Sequence, residues 1–188
     1  SGFIGKNLKL FLSEKGYNVL PIDRSLPIDT IKECDIIINL AGRSIDCRWN
    51  KKNREEILNS RIVTTRNLIN IINSLNKPIF LINASAIGIY KNSTEYIHTE
   101  SSDNFDSGFL SKVCQEWEQQ ANRINDRNNL CITRFGVVFS KSGGAFKKMT
   151  LSMIIRFFPI LGDGEQYISW IGLNDLSEAI DFIISNKI

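Results

Sequence analysis

The sequence contains few of the residues that build metal sites. Among its 188 residues are one histidine, His98, and four cysteines, none of which stand at the spacing of a zinc site. We therefore expect no metal and no zinc chemistry. Reduced thiols are the better interpretation of the cysteines, which is consistent with a cytoplasmic protein. The cysteines are Cys34, Cys47, Cys114 and Cys131.

A long apolar run and a strong charge of one sign are also missing. No apolar run approaches the roughly 20 residues that span a membrane. The net charge is +3 and the basic residues are spread along the chain, so we expect neither nucleic acid nor a membrane surface as a partner. Hydrophobic residues make up 43% of the sequence, which is ordinary for a globular protein with a core of its own.

The chain does have a glycine-rich turn at its start. Ser1 to Gly5 leads into a segment in which Leu8, Phe11 and Leu12 share one helical face. Backbone N–H groups and the dipole at a helix N-terminus favour an anion, and glycines allow a pyrophosphate to approach. A plain loop-to-helix turn would have the same pattern. The candidate phosphate-binding residues are Gly2, Phe3, Ile4 and Gly5.

Asp23 and Arg24 follow a short apolar segment, Tyr17 to Ile22, which is predicted as a strand. Asp23 lies eighteen residues after Gly5. A dinucleotide-binding fold has an acidic residue at about that distance, and it binds the ribose hydroxyls of the cofactor. Arg24 would instead receive the 2′-phosphate of NADP. Because both residue types are present, the choice between NAD and NADP stays open.

Apolar and amphipathic segments alternate along the rest of the chain. This alternation is typical of a parallel α/β sheet with helices on both faces. The first buried strand ends in Asn39, Leu40, Ala41 and Gly42, and ligands bind at such strand ends in these folds. A strand that closes in a tight turn is the alternative. The predicted strands are at 35–42, with its closing turn, 79–86 and 130–139, and the predicted helices are at 52–75, 109–123 and 145–158.

The first residues resemble the end of the Thr-Gly-x-x-Gly-Phe-Ile-Gly signature of extended short-chain dehydrogenases, the nucleotide-sugar epimerase and dehydratase group. Asn39 to Gly42 is similar to the Asn-Asn-Ala-Gly element that lies beside the adenosine and ribose in that superfamily. The resemblance implies a Rossmann-like doubly wound parallel sheet, in a fragment without the first strand and the C-terminal substrate lobe. Residues 1–140 would form the NAD(P)-binding domain, and residues 141–188 the truncated start of the substrate-binding region.

Further motifs resemble the NAD(P)-dependent epimerase-like subgroup that is often labelled cell-division-inhibitor homologue or nucleoside-diphosphate-sugar epimerase. They are spread over nearly all 188 residues. The sequence is equally compatible with Arg61 in the site and with Arg61 on the surface. The matching segments are Asn39 to Gly42, Arg48-Trp49, Asn59 to Arg61, Ser85 to Tyr90, Trp117-Glu118, Arg134 to Val138 and Gly162 to Asp175.

Extended short-chain dehydrogenases use a serine, a tyrosine and a lysine, and the resemblance transfers two of these. Ser85 matches the serine, which orients the substrate, and Lys112 matches the lysine, which holds the nicotinamide ribose. The tyrosine is the general acid or base and should lie four residues before the lysine, but that residue is Gly108. Tyr90 is a substitute acid, unless its ring packs under the loop that follows.

The resemblance implies an NAD(P)-dependent epimerase, dehydratase or reductase that acts on a nucleotide sugar or a similar small carbonyl or hydroxyl substrate. NADP is slightly preferred to NAD because Arg24 can pair with a phosphate. The missing tyrosine supports a second hypothesis, a regulatory or scaffold protein that binds NADP(H) with little turnover. Binding of NADPH without turnover would distinguish that protein from an enzyme.

Overall fold

The computed structural model describes residues 2–144, 146, 147, 149, 150, 164 and 167–188. The helix that the sequence predicts at 145–158 falls largely outside this part of the chain. The chain divides into two compact units. We call Leu20–Arg134 the central unit, and Ser1–Val19 with Phe135–Ile188 the terminal unit.

Helices and strands alternate over residues 36–135, as the sequence predicts. None of the helices in the described residues is both long enough and apolar enough to cross a membrane. The helices and strands in chain order are α1 Phe3–Glu14, α2 Ile28–Ile31, β1 Ile36–Asn39, α3 Lys51–Ser74, β2 Phe80–Ala86, α4 Phe109–Ala121, β3 Asn129–Phe135, β4 Val137–Ser140, β5 Trp170–Gly172 and α5 Leu173–Asn186.

The prediction of a strand at Tyr17 to Ile22 was wrong for the structure described. These residues lie between α1 and α2 and belong to neither sheet. An extended segment counts as a strand only when a neighbouring strand supplies its ladder of hydrogen bonds. No described strand does so here.

The central unit is built on a three-stranded sheet in which β2 lies between β1 and β3. Strands β1 and β2 run parallel, with Ile36 opposite Phe80 and Asn39 opposite Asn83. The residues of β2 are buried up to Ser85, as expected for a strand covered on both faces. The predicted parallel sheet with flanking helices, a Rossmann-like arrangement, is thus confirmed.

Helix α3 supplies much of the core of the central unit. It begins after Asn50, whose side-chain oxygen accepts a hydrogen bond from the Asn53 N–H at 2.8 Å and so caps the helix. One apolar stripe of the helix then packs against the sheet and α2. The buried cluster that results consists of Ile31, Ile37, Leu68, Ile69, Ile72, Ile79 and Leu81.

The terminal unit has a sheet of its own, in which β4 and β5 run parallel. The sequence predicts one strand over 130–139, but the structure has two, which are separated at Gly136. A Cβ atom on Gly136 would lie 2.6 Å from the Ser169 carbonyl oxygen, which also accepts a hydrogen bond from the Val137 N–H at 2.9 Å. The close approach of the segment before β5 therefore requires a glycine where β3 ends.

A buried polar network joins four elements of the central unit, β1, β2, α3 and α4. The Thr65 hydroxyl on α3 is fully buried and accepts hydrogen bonds from Asn39 Nδ2 and from Trp117 Nε1, each at 2.8 Å. Asn39 Nδ2 also donates to Asn83 Oδ1 at 2.7 Å. Because buried polar groups need partners, this network fixes β1, α3 and α4 relative to one another.

We expect Thr65→Val to be strongly destabilising, although it preserves the shape of the side chain. Asn39 and Trp117 would both lose a buried acceptor, and an unpaired buried donor costs about 1–3 kcal/mol. The free energy of unfolding, measured by urea denaturation, should therefore fall by at least about 2 kcal/mol. The control is Thr64→Val at the half-buried neighbouring position. Equal losses for the two variants would contradict the role given to the Thr65 hydroxyl.

Candidate cofactor and catalytic site

The turn after β1 is set by the Asn39 side chain. Its oxygen accepts a hydrogen bond from the Ala41 N–H at 3.1 Å, while its amide nitrogen donates to Thr65 and Asn83 inside the core. Asn39 is buried, and its side chain is fully engaged within the protein. Asn39 therefore shapes the Asn39–Gly42 turn, and the polar atoms that the turn offers to a ligand are those of its backbone.

The Arg61 side chain packs directly against Gly42 and leaves little room there for a larger residue. A Cβ atom on Gly42 would lie 2.9 Å from Arg61 Cζ. The guanidinium of Arg61 donates to the carbonyl oxygens of Arg43 and Ile57 at 3.1 and 3.2 Å, and it lies over the Trp117 ring. Burial lowers the pKa of Arg61. Arg61 thus faces inward and holds the turn, which decides the question that the sequence leaves open.

An open cleft of about 510 Å³ lies beside this turn in the central unit. Arg43 is anchored there, because its N–H bonds to Ser60 Oγ at 2.9 Å and its guanidinium pairs with Glu56 and with Asn53 Oδ1. Three cations and two carboxylates line the cleft, so an excess of positive charge remains. The lining residues are Arg24, Arg43, Lys52, Glu55, Glu56, Asn59 and Ser60.

Asp23 lies next to Arg24 on the surface and is tied to its own turn. Asp23 Oδ1 accepts hydrogen bonds from the Ser25 N–H at 2.8 Å and from the Ser25 hydroxyl at 2.5 Å. These bonds lower the pKa of the Asp23 carboxyl. One oxygen of Asp23 is thus already used within the chain, whereas Arg24 is exposed and lines the cleft.

Ser85 and Tyr90, two predicted catalytic residues, are linked through an ion pair between the buried Glu118 and the partly buried Arg134. Ser85 Oγ donates to Glu118 Oε1 at 2.5 Å. Arg134 binds the same carboxylate with two donors, and it also donates to the Tyr90 hydroxyl at 2.5 Å. Glu118 raises the pKa of Arg134, mainly through these hydrogen bonds. The sequence motifs include both charged residues but do not reveal that they meet.

Tyr90 is half-buried under the loop that follows it. Its hydroxyl donates to the Thr99 carbonyl at 3.0 Å, and its ring stacks on His98 with the ring centroids 4.7 Å apart. The ring also lies 6.0 Å from that of Phe105. Tyr90 therefore has a packing role as well as a hydroxyl that contacts Arg134.

Lys112 lies on the exposed side of α4, and no hydrogen bond of the described residues joins it to Ser85 or Tyr90. At the position of the missing tyrosine, Gly108 is the N-cap of α4. Its N–H donates to Asp106 Oδ2 at 3.1 Å. The structure thus brings together Ser85 and Tyr90 and leaves Lys112 outside their network.

The predicted phosphate-binding turn lies in the terminal unit. Gly2 is the N-cap of α1, and its carbonyl accepts the first hydrogen bond of the helix, from the Lys6 N–H at 3.1 Å. Ile4 and Gly5 lie in the first turn, where N–H groups have no partner within the helix. Among the residues that the structure describes, no atom lies within 4 Å of a Cβ atom built on Gly2, so their packing does not require a glycine here.

Phe3 has a packing role in the same unit. Its ring would lie 2.7 Å from a Cβ atom on Gly143 and 3.1 Å from one on Gly144. Gly144 also has a φ of +72°, which favours glycine. The Gly143–Gly144 pair after β4 therefore accommodates the Phe3 ring.

A sequence profile of the NAD-dependent epimerase/dehydratase family matches residues 1–187. The chain belongs to this family. The resemblance to extended short-chain dehydrogenases is thus confirmed. An epimerase family protein of Staphylococcus saprophyticus is 39% identical over 159 residues, which are 84% of this chain and 53% of that protein. One of Staphylococcus aureus is 37% identical over 155 residues, which are 81% of this chain and 52% of that protein.

Two solved structures resemble this epimerase-family chain closely. The human epimerase family protein SDR39U1 (isoform 2), crystallised with NADPH, has a TM-score of 0.88 at 28% identity, over 97% of this chain and 66% of that one. A nucleoside-diphosphate sugar epimerase from Corynebacterium glutamicum has a TM-score of 0.80 at 27% identity, over 96% of this chain and 41% of that one. The present chain thus spans about half the length of the curated relatives it matches.

We expect Gly42→Ala to destabilise the epimerase-family chain because the added methyl group would displace Arg61 from its two carbonyl partners. The cost should be about 1 kcal/mol, the net contribution of a typical hydrogen bond, because the guanidinium can shift but would lose carbonyl partners. Gly88→Ala is the matched control, since a Cβ atom on Gly88 would meet nothing within 4 Å. Chemical denaturation of both variants measures the difference, and similar stabilities would contradict the tight contact.

Proposed function

We propose that this chain binds NADP(H) and serves an epimerase, dehydratase or reductase reaction on a nucleotide sugar or a similar small substrate. When bound, NADP(H) would supply the hydride-transfer chemistry at a sugar-like carbon of that substrate. Membership of the family, the NADPH in the human structure and the nucleoside-diphosphate sugar epimerase among the similar structures support this proposal.

The observation that carries the preference for NADP is the cationic cleft beside the turn after β1. Arg43 is paired with Glu56, so Arg24 is the exposed guanidinium of the cleft. A guanidinium binds phosphate oxygens through a charge-assisted fork of donors. Asp23, which would bind the ribose hydroxyls of NAD, already uses one oxygen for Ser25. In this proposal the cleft receives the 2′-phosphate, beside the Asn39–Gly42 turn.

In the terminal unit, the proposed contacts are with the pyrophosphate. They involve the backbone of Gly2, Phe3, Ile4 and Gly5, at the N-terminus of α1. The open space at Gly2 supports this assignment. Residues 1–140 would then be the NAD(P)-binding domain and residues 141–188 the start of the substrate-binding region.

The catalytic assignment that the geometry favours is Ser85 with Tyr90. Both hydroxyls are held in one hydrogen-bonded network. Lys112 would act on the nicotinamide ribose, as the family resemblance implies.

The activity is tested by incubating full-length protein and NADP(H) with a panel of nucleotide sugars. Hydride transfer is followed by the absorbance of the nicotinamide. NADPH binding without turnover, unaffected by Ser85→Ala, would favour the regulatory or scaffold alternative.

We expect Arg24→Ala to weaken NADPH binding about tenfold or more, since it removes a hydrogen-bonded charge from the 2′-phosphate. NADH lacks this phosphate, so its affinity should change less than about twofold. Fluorescence titration of full-length protein measures both affinities. Arg66→Ala, on the exposed side of α3, is the matched control. Equal losses for NADPH and NADH would defeat the assignment of Arg24.

We expect Gly2→Ala to weaken NADPH and NADH alike, because the methyl group would stand where the pyrophosphate approaches. Without cofactor, the free energy of unfolding should fall by about 1 kcal/mol, because alanine is a poorer N-cap than glycine while the added carbon meets no neighbour among the described residues. Cofactor titration and urea denaturation of one preparation separate these effects. Unchanged affinities would place the phosphates elsewhere.

A further inference from the structure

We propose that Glu118 and Arg134 are positioning residues that hold the Ser85 hydroxyl as a hydrogen-bond acceptor for the substrate. This inference rests on the proposed function and adds two residues for which the resemblance implies no role. It also concerns the feature that the family pattern lacks here, since Gly108 cannot act as a general acid or base.

The geometry of the ion pair is well defined. The Glu118 side chain is 9% exposed and the Arg134 side chain 22%. Arg134 Nε donates to Glu118 Oε1 at 2.9 Å, and Arg134 Nη2 donates to Oε2 at 2.8 Å. Such a two-bond pairing fixes the plane of the carboxylate, so the oxygen that faces Ser85 has one position.

The carboxylate then dictates the direction of the Ser85 proton. A carboxylate paired with a guanidinium accepts hydrogen bonds and has none to donate. The 2.5 Å contact must therefore use the Ser85 O–H as the donor and Glu118 Oε1 as the acceptor. Because the Ser85 hydroxyl donates its proton to Glu118, its oxygen can only accept a hydrogen bond from a further group. It suits a substrate hydroxyl, which donates, better than a carbonyl oxygen, which accepts.

The same guanidinium connects this arrangement to Tyr90. Arg134 Nη1 donates to the Tyr90 hydroxyl, and Arg134 lies over the rings of Tyr90 and Phe105 at 5.2 and 5.7 Å. The phenolic proton is directed to the Thr99 carbonyl. Arg134 therefore sets both hydroxyls from one side chain, and its position on β3 ties them to the central sheet.

The Cys114 thiol adds no competing charge to this region. Cys114 is on the same helix as Glu118 and is buried. Burial is the main cause that raises its pKa, and the charge of Glu118 raises it further. The charge of Arg61 and hydrogen bonds with Ala86 and Ser85 act on this pKa in the opposite direction. The thiol is therefore neutral near pH 7, and Glu118 is the anionic group beside Ser85.

The first test is a double-mutant cycle on full-length protein with NADP(H), with UDP-glucose as the probe. The variants are Ser85→Ala, Glu118→Gln and the two combined. Glu118→Gln should lower kcat about 10- to 100-fold, the range for loss of a hydrogen bond to a charged group, with little change in the affinity for NADPH. In the Ser85→Ala background the same change should have almost no further effect, because Glu118 acts through Ser85.

Glu116→Gln is the matched control, since it makes the same chemical change two residues away on the exposed side of α4. It should leave kcat unchanged. Additive losses from Ser85→Ala and Glu118→Gln would overturn the proposal, because they would show that Glu118 supports the fold and not Ser85. Arg134→Lys, which keeps the charge but loses the two-bond fork, should resemble Glu118→Gln in kcat.

The second test does not depend on turnover. In proton NMR of the full-length protein, the Ser85 hydroxyl should give a slowly exchanging resonance that Ser85→Ala removes, Glu118→Gln shifts and Glu116→Gln leaves unchanged. Absence of this resonance would overturn the proposal even if the protein is active. Its presence in a protein that turns over no nucleotide sugar would support the arrangement and refute the proposed function instead.

Discussion

The arrangement of the central unit depends on one buried hydroxyl, that of Thr65. It is shared by Asn39 at the end of β1 and by Trp117 on α4, so it sets where the strand ends and how the helix is rotated. Once Trp117 is held, the next residue, Glu118, points toward Ser85 on β2. A single acceptor thereby determines both the turn beside the cationic cleft and the network around Ser85.

Helix α3 combines two tasks that lie on different parts of its length. Its C-terminal half provides the isoleucine and leucine side chains of the core. Its N-terminal half carries Asn53, Glu56, Ser60 and Arg61, which hold the residues after β1 in place. The Asn-Ser-Arg motif is therefore explained as a support for the turn, and the glycine at position 42 follows from the bulk of Arg61.

Local pattern was sufficient to predict most of the fold. Periodicity and helix-ending residues located α3, α4 and the three strands of the central sheet to within a few residues. Two errors share a physical cause, which is that pairing is not local. Whether Tyr17 to Ile22 forms a strand depends on a neighbouring strand, and the break at Gly136 depends on a carbonyl 33 residues later in the chain, that of Ser169.

The site was less accessible to sequence reasoning for the same reason. Glycines, Asp23, Arg24 and Ser85 could be singled out by spacing or by resemblance. The side chains that lie beside them in the structure, such as Arg43 in the cleft and Glu118 next to Ser85, are distant in sequence. No fixed sequence spacing predicts these contacts. The motifs that contain Glu118 and Arg134 were visible, but only coordinates showed that the two side chains form one ion pair.

The turn that precedes α4 has a consequence for protein engineering. A side chain at position 108 would begin 2.6 Å from the Asp106 carboxylate, which now accepts the hydrogen bond of the Gly108 N–H. A tyrosine introduced at position 108 would therefore require the Asp106 carboxylate to rotate away and give up that hydrogen bond. An attempt to engineer the family's tyrosine into this chain should accordingly vary position 106 together with position 108.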